Sequence, residues 1–128
     1  MKQDEKLILN PKLLLVDDDP STRLLIHEIL EGAKVTIIEC GSGKEAISLF
    51  KEHGDDIALL LLDIKLKDCT GWELLGQLRQ MKPFVPAIAI SAMAPNEIAK
   101  EYKKAGFDAF LSKPFEIEEL IWLVGVFV

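Results

Sequence analysis

The chain has 128 residues, 49% of them hydrophobic, and carries a net charge of −6 at pH 7 with a pI near 4.9. That length suits one domain, and the apolar share with positive mean hydropathy excludes a chain too polar to bury a core. The acidic balance argues against a nucleic-acid surface, which needs cations to neutralise phosphates.

Residues 1–11 (MKQDEKLILNP) lack an uninterrupted apolar signal core and read as a leader or boundary segment before a domain over 12–128. The longest apolar runs, 57–62 and 120–128, fall short of the ~20 residues a membrane helix needs, so neither membrane insertion nor secretion is expected. Cys40 and Cys69 fit no CxxC spacing and read as free thiols in a reducing cytoplasm.

The first expected strand is 12–16 (KLLLV), followed by Asp17, Asp18 and Asp19. Asp19 then Pro20 has the order of an N-cap and first helical residue, opening a helix over 20–31 with Leu25, Ile26, Ile29 and Leu30 inward. The second strand, 34–39 (KVTIIE), alternates Val35 and Ile37 with polar neighbours, as a sheet edge does. Ser42 and Glu45 have capping-box spacing for a helix over 43–53, with Ala46, Leu49 and Phe50 inward. The third strand, 57–62 (IALLLL), is apolar on both faces. Thr70 and Glu73 repeat the capping-box spacing before a helix over 71–81, with Trp72, Leu75 and Leu78 inward.

The fourth strand, 86–91 (PAIAIS), leads to a helix expected over 95–105 and stopped by Gly106 as its C′ residue. The fifth strand is 108–112 (DAFLS), and a fifth helix begins near Glu116, with Ile117, Leu120, Ile121 and Val124 as its core stripe. Trp122 and Val126 fall off that stripe, and Leu24 is a similar outlier on the first helix. Strict strand-then-helix alternation predicts an α/β fold: a doubly wound, flavodoxin-like, five-stranded parallel sheet of order 2-1-3-4-5, with five helices on its faces.

Ligands of such sheets bind beyond the carboxyl ends of the strands. Asp17, Asp18 and Asp19 follow the first strand there, Asp63 the third, Ser91 the fourth and Lys113 the fifth. Each has an ordinary reading by itself: a turn, a helix cap or a solvated loop residue. What singles them out is convergence on one sheet edge. Clustered carboxylates repel unless a hard divalent cation such as Mg²⁺ or Mn²⁺ joins them. A carboxylate beside such an ion is a competent phosphoryl acceptor, and an ammonium and a hydroxyl can hold phosphate oxygens.

The segments VDDDPSTR at 16–23, LLDIKLKDCTG at 61–71, ISA at 90–92 and LSKPF at 111–115 resemble the signature segments of bacterial response-regulator receiver domains. The resemblance extends over about 12–124. It implies that Asp63 is the phosphoacceptor, that Asp18 ligates Mg²⁺ directly and Asp17 through water, and that the Lys65 carbonyl is a further metal ligand. It also implies that Ser91 is the switch hydroxyl, Lys113 the phosphate-binding lysine before a cis Pro114 that aims it at the site, and Phe110 the switch aromatic.

The implied donor is a histidine kinase or histidine phosphotransfer domain, and the implied output is a change in the surface of the fourth helix, fifth strand and fifth helix, where a homodimer can form. The 89–120 segment resembles receivers of hybrid sensor kinases most. Lys67 stands where the family usually has proline, which predicts a looser loop between Asp63 and Gly71.

Two rivals share some of these features. The 17–21 segment also fits the DxDx(S/T) motif of haloacid-dehalogenase-type phosphatases, but only Glu116, Glu118 and Glu119 follow Lys113 in place of a late metal-binding aspartate pair. A phosphate-independent pseudo-receiver is disfavoured by the complete Asp17, Asp18, Asp63, Ser91 and Lys113 set. A flavin phosphate would be repelled by Asp17 to Asp19.

Overall fold

The computed structural model describes residues 10–92 and 106–128. Its strands are β1 (Lys12–Val16), β2 (Thr36–Cys40), β3 (Ile57–Asp63), β4 (Ala87–Ser91) and β5 (Ala109–Ser112). They form one five-stranded parallel sheet in the order β2-β1-β3-β4-β5. Four helices lie among the described residues: α1 (Pro20–Leu30), α2 (Gly43–His53), α3 (Gly71–Met81) and the C-terminal helix α4 (Ile117–Phe127). The helix expected over 95–105, including the end at which Gly106 would stop it, lies outside the described residues.

Strand periodicity divides the core into two layers. Leu14, Val16, Leu60, Leu62, Ala87 and Ala89 point toward α2 and α3, where they meet Ala46, Phe50, Leu74, Leu75 and Leu78. Leu13, Leu15, Leu59, Leu61, Ile88 and Ile90 point the other way, onto Ile26 and Leu30 of α1 and Leu120, Leu123 and Val124 of α4. The central β3 is therefore buried on both faces, as its unbroken apolar run requires.

The caps form as expected. Asp19 accepts from the Ser21 N–H, Ser42 from the Glu45 N–H, and Thr70 and Glu73 make a reciprocal capping box.

Helix phases need correction. Leu25, Ile117 and Ile121, expected inward, are 45%, 53% and 50% exposed, whereas Leu74 and Leu123 are buried. Leu24, Leu25 and Ile26 are consecutive, and a helix face admits only one of them, which is Ile26. Leu49 and Trp72 pack only in part. Strand β2 starts later than expected and ends on the buried Cys40, its Ile38 leaning on the α2 and α3 layer.

Candidate functional site

The sheet delivers the site residues to its carboxyl edge in register. Asp17 follows β1, and its N–H donates to the Cys40 carbonyl at 3.2 Å, tying the turn to the end of β2. Asp63 is the last residue of β3, beside Ile90, and Ser91 is the last residue of β4. The Lys113 N–H donates to the Ser91 carbonyl at 2.8 Å, which fixes the chain leaving β5 against the end of β4. The Lys113–Pro114 bond is cis, as the resemblance implied.

The edge is crowded with charge. Asp17, Asp63 and Ser91 are all buried. The Lys113 Nζ lies 2.8 Å from Asp17 Oδ2 and 3.4 Å from Asp63 Oδ2. Asp17, Asp18 and Asp63 each present a carboxylate oxygen within 4.8 Å of the others. Burial first, and then the charge of Asp17, push the Asp63 carboxyl up to about 6, against the Lys65 N–H that donates to its Oδ1 at 3.0 Å and against Lys113. Burial works to lower the Lys113 ammonium, but the carboxylates of Asp17 and Asp63 outweigh it and hold it above the usual lysine value.

One ammonium does not balance three carboxylates. Asp17 Oδ2 is buried without an aligned hydrogen bond, and the ammonium is its charged neighbour. An all-oxygen set with surplus negative charge fits a hard divalent ion, Mg²⁺ or Mn²⁺, and suits no softer metal. The thiols play no part: burial pushes Cys40 up to about 11 and also raises Cys69, and both are free.

The loop after Asp63 is tied rather than loose, despite Lys67. The Gly71 N–H donates to the Ile64 carbonyl at 2.8 Å and the Leu66 N–H to the Cys69 carbonyl at 3.1 Å, with Lys65 and Thr70 bridged between them. That pairing uses the groups flanking Lys65 and leaves the Lys65 carbonyl outside it. The Asp68 carboxylate accepts from the Gly43 and Lys44 N–H groups, both at 3.0 Å, and so fastens the loop to the start of α2. Gly71 packs so closely that a Cβ there would lie 2.6 Å from the Asp63 carbonyl oxygen. Glycine at 71 is thus part of how Asp63 is seated.

Phe110 is half-buried against the α2 and α3 layer. Two partners of the site were missed in the sequence, Asp68 and Arg23. Both lie within quoted segments, but the contacts of Asp68 depend on the start of α2 and those of Arg23 on β2.

A doubly wound α/β sheet with buried acids, a hydroxyl and a lysine at its carboxyl edge is the arrangement that the resemblance to receiver domains implied. The response regulator receiver domain model matches residues 13–124, and the chain belongs to that family. Receiver domains are signalling switches of two-component systems. The chain is 36% identical over 114 residues to an uncharacterised 14.6 kDa protein of Leptolyngbya boryana, covering 88% of this chain and 86% of that protein. It is 34% identical over 111 residues to the DNA-binding transcriptional regulator NtrC of Salmonella typhimurium, covering 86% of this chain and 23% of that one. The chain thus spans under a quarter of NtrC. The receiver domain of Francisella response regulator 1452 superposes with a TM-score of 0.79 at 32% identity, covering 92% of this chain and 96% of that one.

Proposed function

We propose that Asp63 is the phosphoacceptor, taking a phosphoryl group from a phosphohistidine on a histidine kinase or phosphotransfer domain. The observation that carries this reading is the Asp63 carboxylate at the end of β3, seated between Asp17, Asp18 and Lys113. An Asp63 oxygen forms the new bond to phosphorus as the phosphorus–nitrogen bond to the donor imidazole breaks, and the imidazole leaves with the electron pair and takes up a proton. Lys113, already between Asp17 and Asp63, pairs with the phosphate oxygens, and the Ser91 hydroxyl turns toward them.

Asp17, Asp18, Asp63 and the Lys65 carbonyl would hold Mg²⁺ or Mn²⁺. When bound, the ion offsets the charge of the incoming phosphoryl group.

As Ser91 moves, Phe110 turns into the space it leaves. That repacks the surface formed by β5, the C-terminal helix and the expected helix over 95–105, and biases a two-state equilibrium. The receiver unit is 12–128, acts in the cytoplasm, binds no nucleic acid itself, and transfers phosphate to no substrate beyond its own cycle. A second copy would dock on the outer side of the C-terminal helix, a reading supported by the exposure of Trp122 and Val126, 66% and 55%. Among the described residues no helix is long and apolar enough to cross a membrane.

The test is phosphoryl uptake from acetyl phosphate with Mg²⁺ present. The wild-type chain becomes labelled, and Asp63→Asn does not. Undiminished labelling of Asp63→Asn would refute the assignment. For the docking surface, sedimentation of Trp122→Glu should show loss of any phosphate-dependent dimer; unchanged dimerisation would exclude that face.

A further inference from the structure

We propose that Arg23 is a positioning residue for the acidic edge: it holds the peptide between Asp17 and Asp18 so that the carboxylates on either side converge on one cation. The inference rests on the reading of that edge as a divalent-cation site. Arg23 sits in the first turns of α1, which begins directly after the acidic run. Its Nη1 donates to the Asp17 carbonyl at 2.5 Å, and its Nε donates to Glu39 Oε1 on β2 at 3.2 Å. The side chain is 19% exposed, so the guanidinium lies against the protein rather than in solvent.

Two further contacts show that this arrangement is built rather than incidental. A Cβ on Gly41 would lie 3.2 Å from Arg23 Nη1, so the guanidinium passes over a position kept bare of a side chain. On its far side Glu39 is shared with His27, whose ring nitrogen faces the second carboxylate oxygen; Arg23 and His27 are one helical turn apart on α1. Glu39 is thereby gripped from two places and serves as a fixed anchor for Arg23.

The geometry bears directly on the carboxylates. The Asp17 carbonyl belongs to the peptide that carries the Asp18 N–H, so fixing that oxygen fixes the plane from which the Asp18 side chain departs. Asp17 Oδ1 is held separately by the Asp19 N–H at 2.9 Å. Without Arg23 the Asp17 N–H keeps its bond to the Cys40 carbonyl, but the Asp17 carbonyl loses its bond to the guanidinium. Groups that orient ligands in this way commonly change metal affinity 10- to 100-fold when removed.

A positioning role predicts the opposite sign from simple electrostatics. Arg23 is a cation bound to the acidic turn itself, so through space alone its removal would tighten Mg²⁺ binding. Holding the peptide in place predicts that removal weakens it.

The experiment is calorimetric titration of the metal-free protein with MgCl₂, alongside amide hydrogen exchange without metal. Arg23→Ala is expected to weaken Mg²⁺ binding at least 10-fold and to speed exchange of the Asp18 and Asp19 amides at least 10-fold, with β3 amides unchanged. Arg23→Lys, which keeps the charge without the fork, should recover only part of the affinity. Glu39→Gln should weaken binding several-fold in the same direction. Should Arg23→Ala fail to fold, Arg23→Lys and Glu39→Gln carry the same ordering. Mg²⁺ binding as tight as wild type or tighter, or exchange rising equally in β3, overturns the proposal. A wild-type protein that binds no Mg²⁺ would defeat the reading of the edge instead, and the exchange measurement would still report on Arg23.

Discussion

The two ends of the sheet use charge in opposite ways. At the amino end, cations close the backbone. Arg79 donates to the Val85 carbonyl through Nε and Nη2, to the Gly106 carbonyl through Nη1, and to Asp108 at 3.0 Å, while Lys82 donates to the Gly54 and Ile57 carbonyls at 3.0 and 2.7 Å. At the carboxyl end, three carboxylates crowd one ammonium, and the Asp63 carboxyl is driven up to about 6. One end is satisfied within the chain; the other is left with an excess that an external cation or phosphate chemistry would resolve. Stability should therefore respond with opposite sign to loss of charge at the two ends.

The largest effect is expected at the amino end. Arg79→Ala leaves the Val85 and Gly106 carbonyls without these charged donors and removes the Asp108 ion pair, a loss of about 3 kcal/mol by urea unfolding, with Mg²⁺ affinity unchanged. Next is Gly71→Ala, which drives a methyl group into the Asp63 backbone. It should destabilise by about 2 kcal/mol and also slow labelling by acetyl phosphate, because the residue displaced is Asp63 itself. A variant that loses stability but labels at the wild-type rate would separate Gly71 from the seating of Asp63.

The smallest effect has the reverse sign. In metal-free protein Asp63→Asn removes the crowded charge and should stabilise by about 1 kcal/mol near pH 8. The pH dependence follows from the raised carboxyl. Between the unfolded value of ~3.9 and the folded value of about 6, the folded state holds a proton that the unfolded state has released. Stability from this residue is thus full below that window and falls as pH rises through it. The lowered carboxyls of Asp19 and Asp68 act below the window, and the raised ammonium of Lys113 acts far above it. Chemical denaturation between pH 4 and 7 should show the slope in the wild type and a reduced slope in Asp63→Asn; equal slopes would remove the contrast between the two ends.

The strands and the placing of the candidate site residues at their ends were legible for one reason: apolar runs end where those polar residues begin. Val16 gives way to Asp17, and Ala89 and Ile90 to Ser91, so a strand reading automatically places the chemistry at its end. Helix phase was less legible. From Leu120 to Val128 the C-terminal helix has no charged residue to mark its outer side, and contact with the sheet selects Leu120, Leu123 and Val124 over Ile117 and Ile121. The supporting polar contacts were not legible at all. Arg23 meets Glu39, and Asp68 meets Gly43 and Lys44, only because β2, α2 and the loop after β3 are brought side by side by the parallel sheet. The expected slackness from Lys67 failed for the same reason, since that loop is fastened by Asp68 and by its own backbone pairing.

An acyl phosphate can be trapped where it forms. Treating acetyl-phosphate-labelled protein with borohydride reduces an aspartyl phosphate to homoserine, which peptide mass spectrometry locates. Homoserine is expected at position 63 alone, and only when Mg²⁺ was present during labelling. Homoserine at Asp17 or Asp18, or none in a labelled protein, would contradict this expectation.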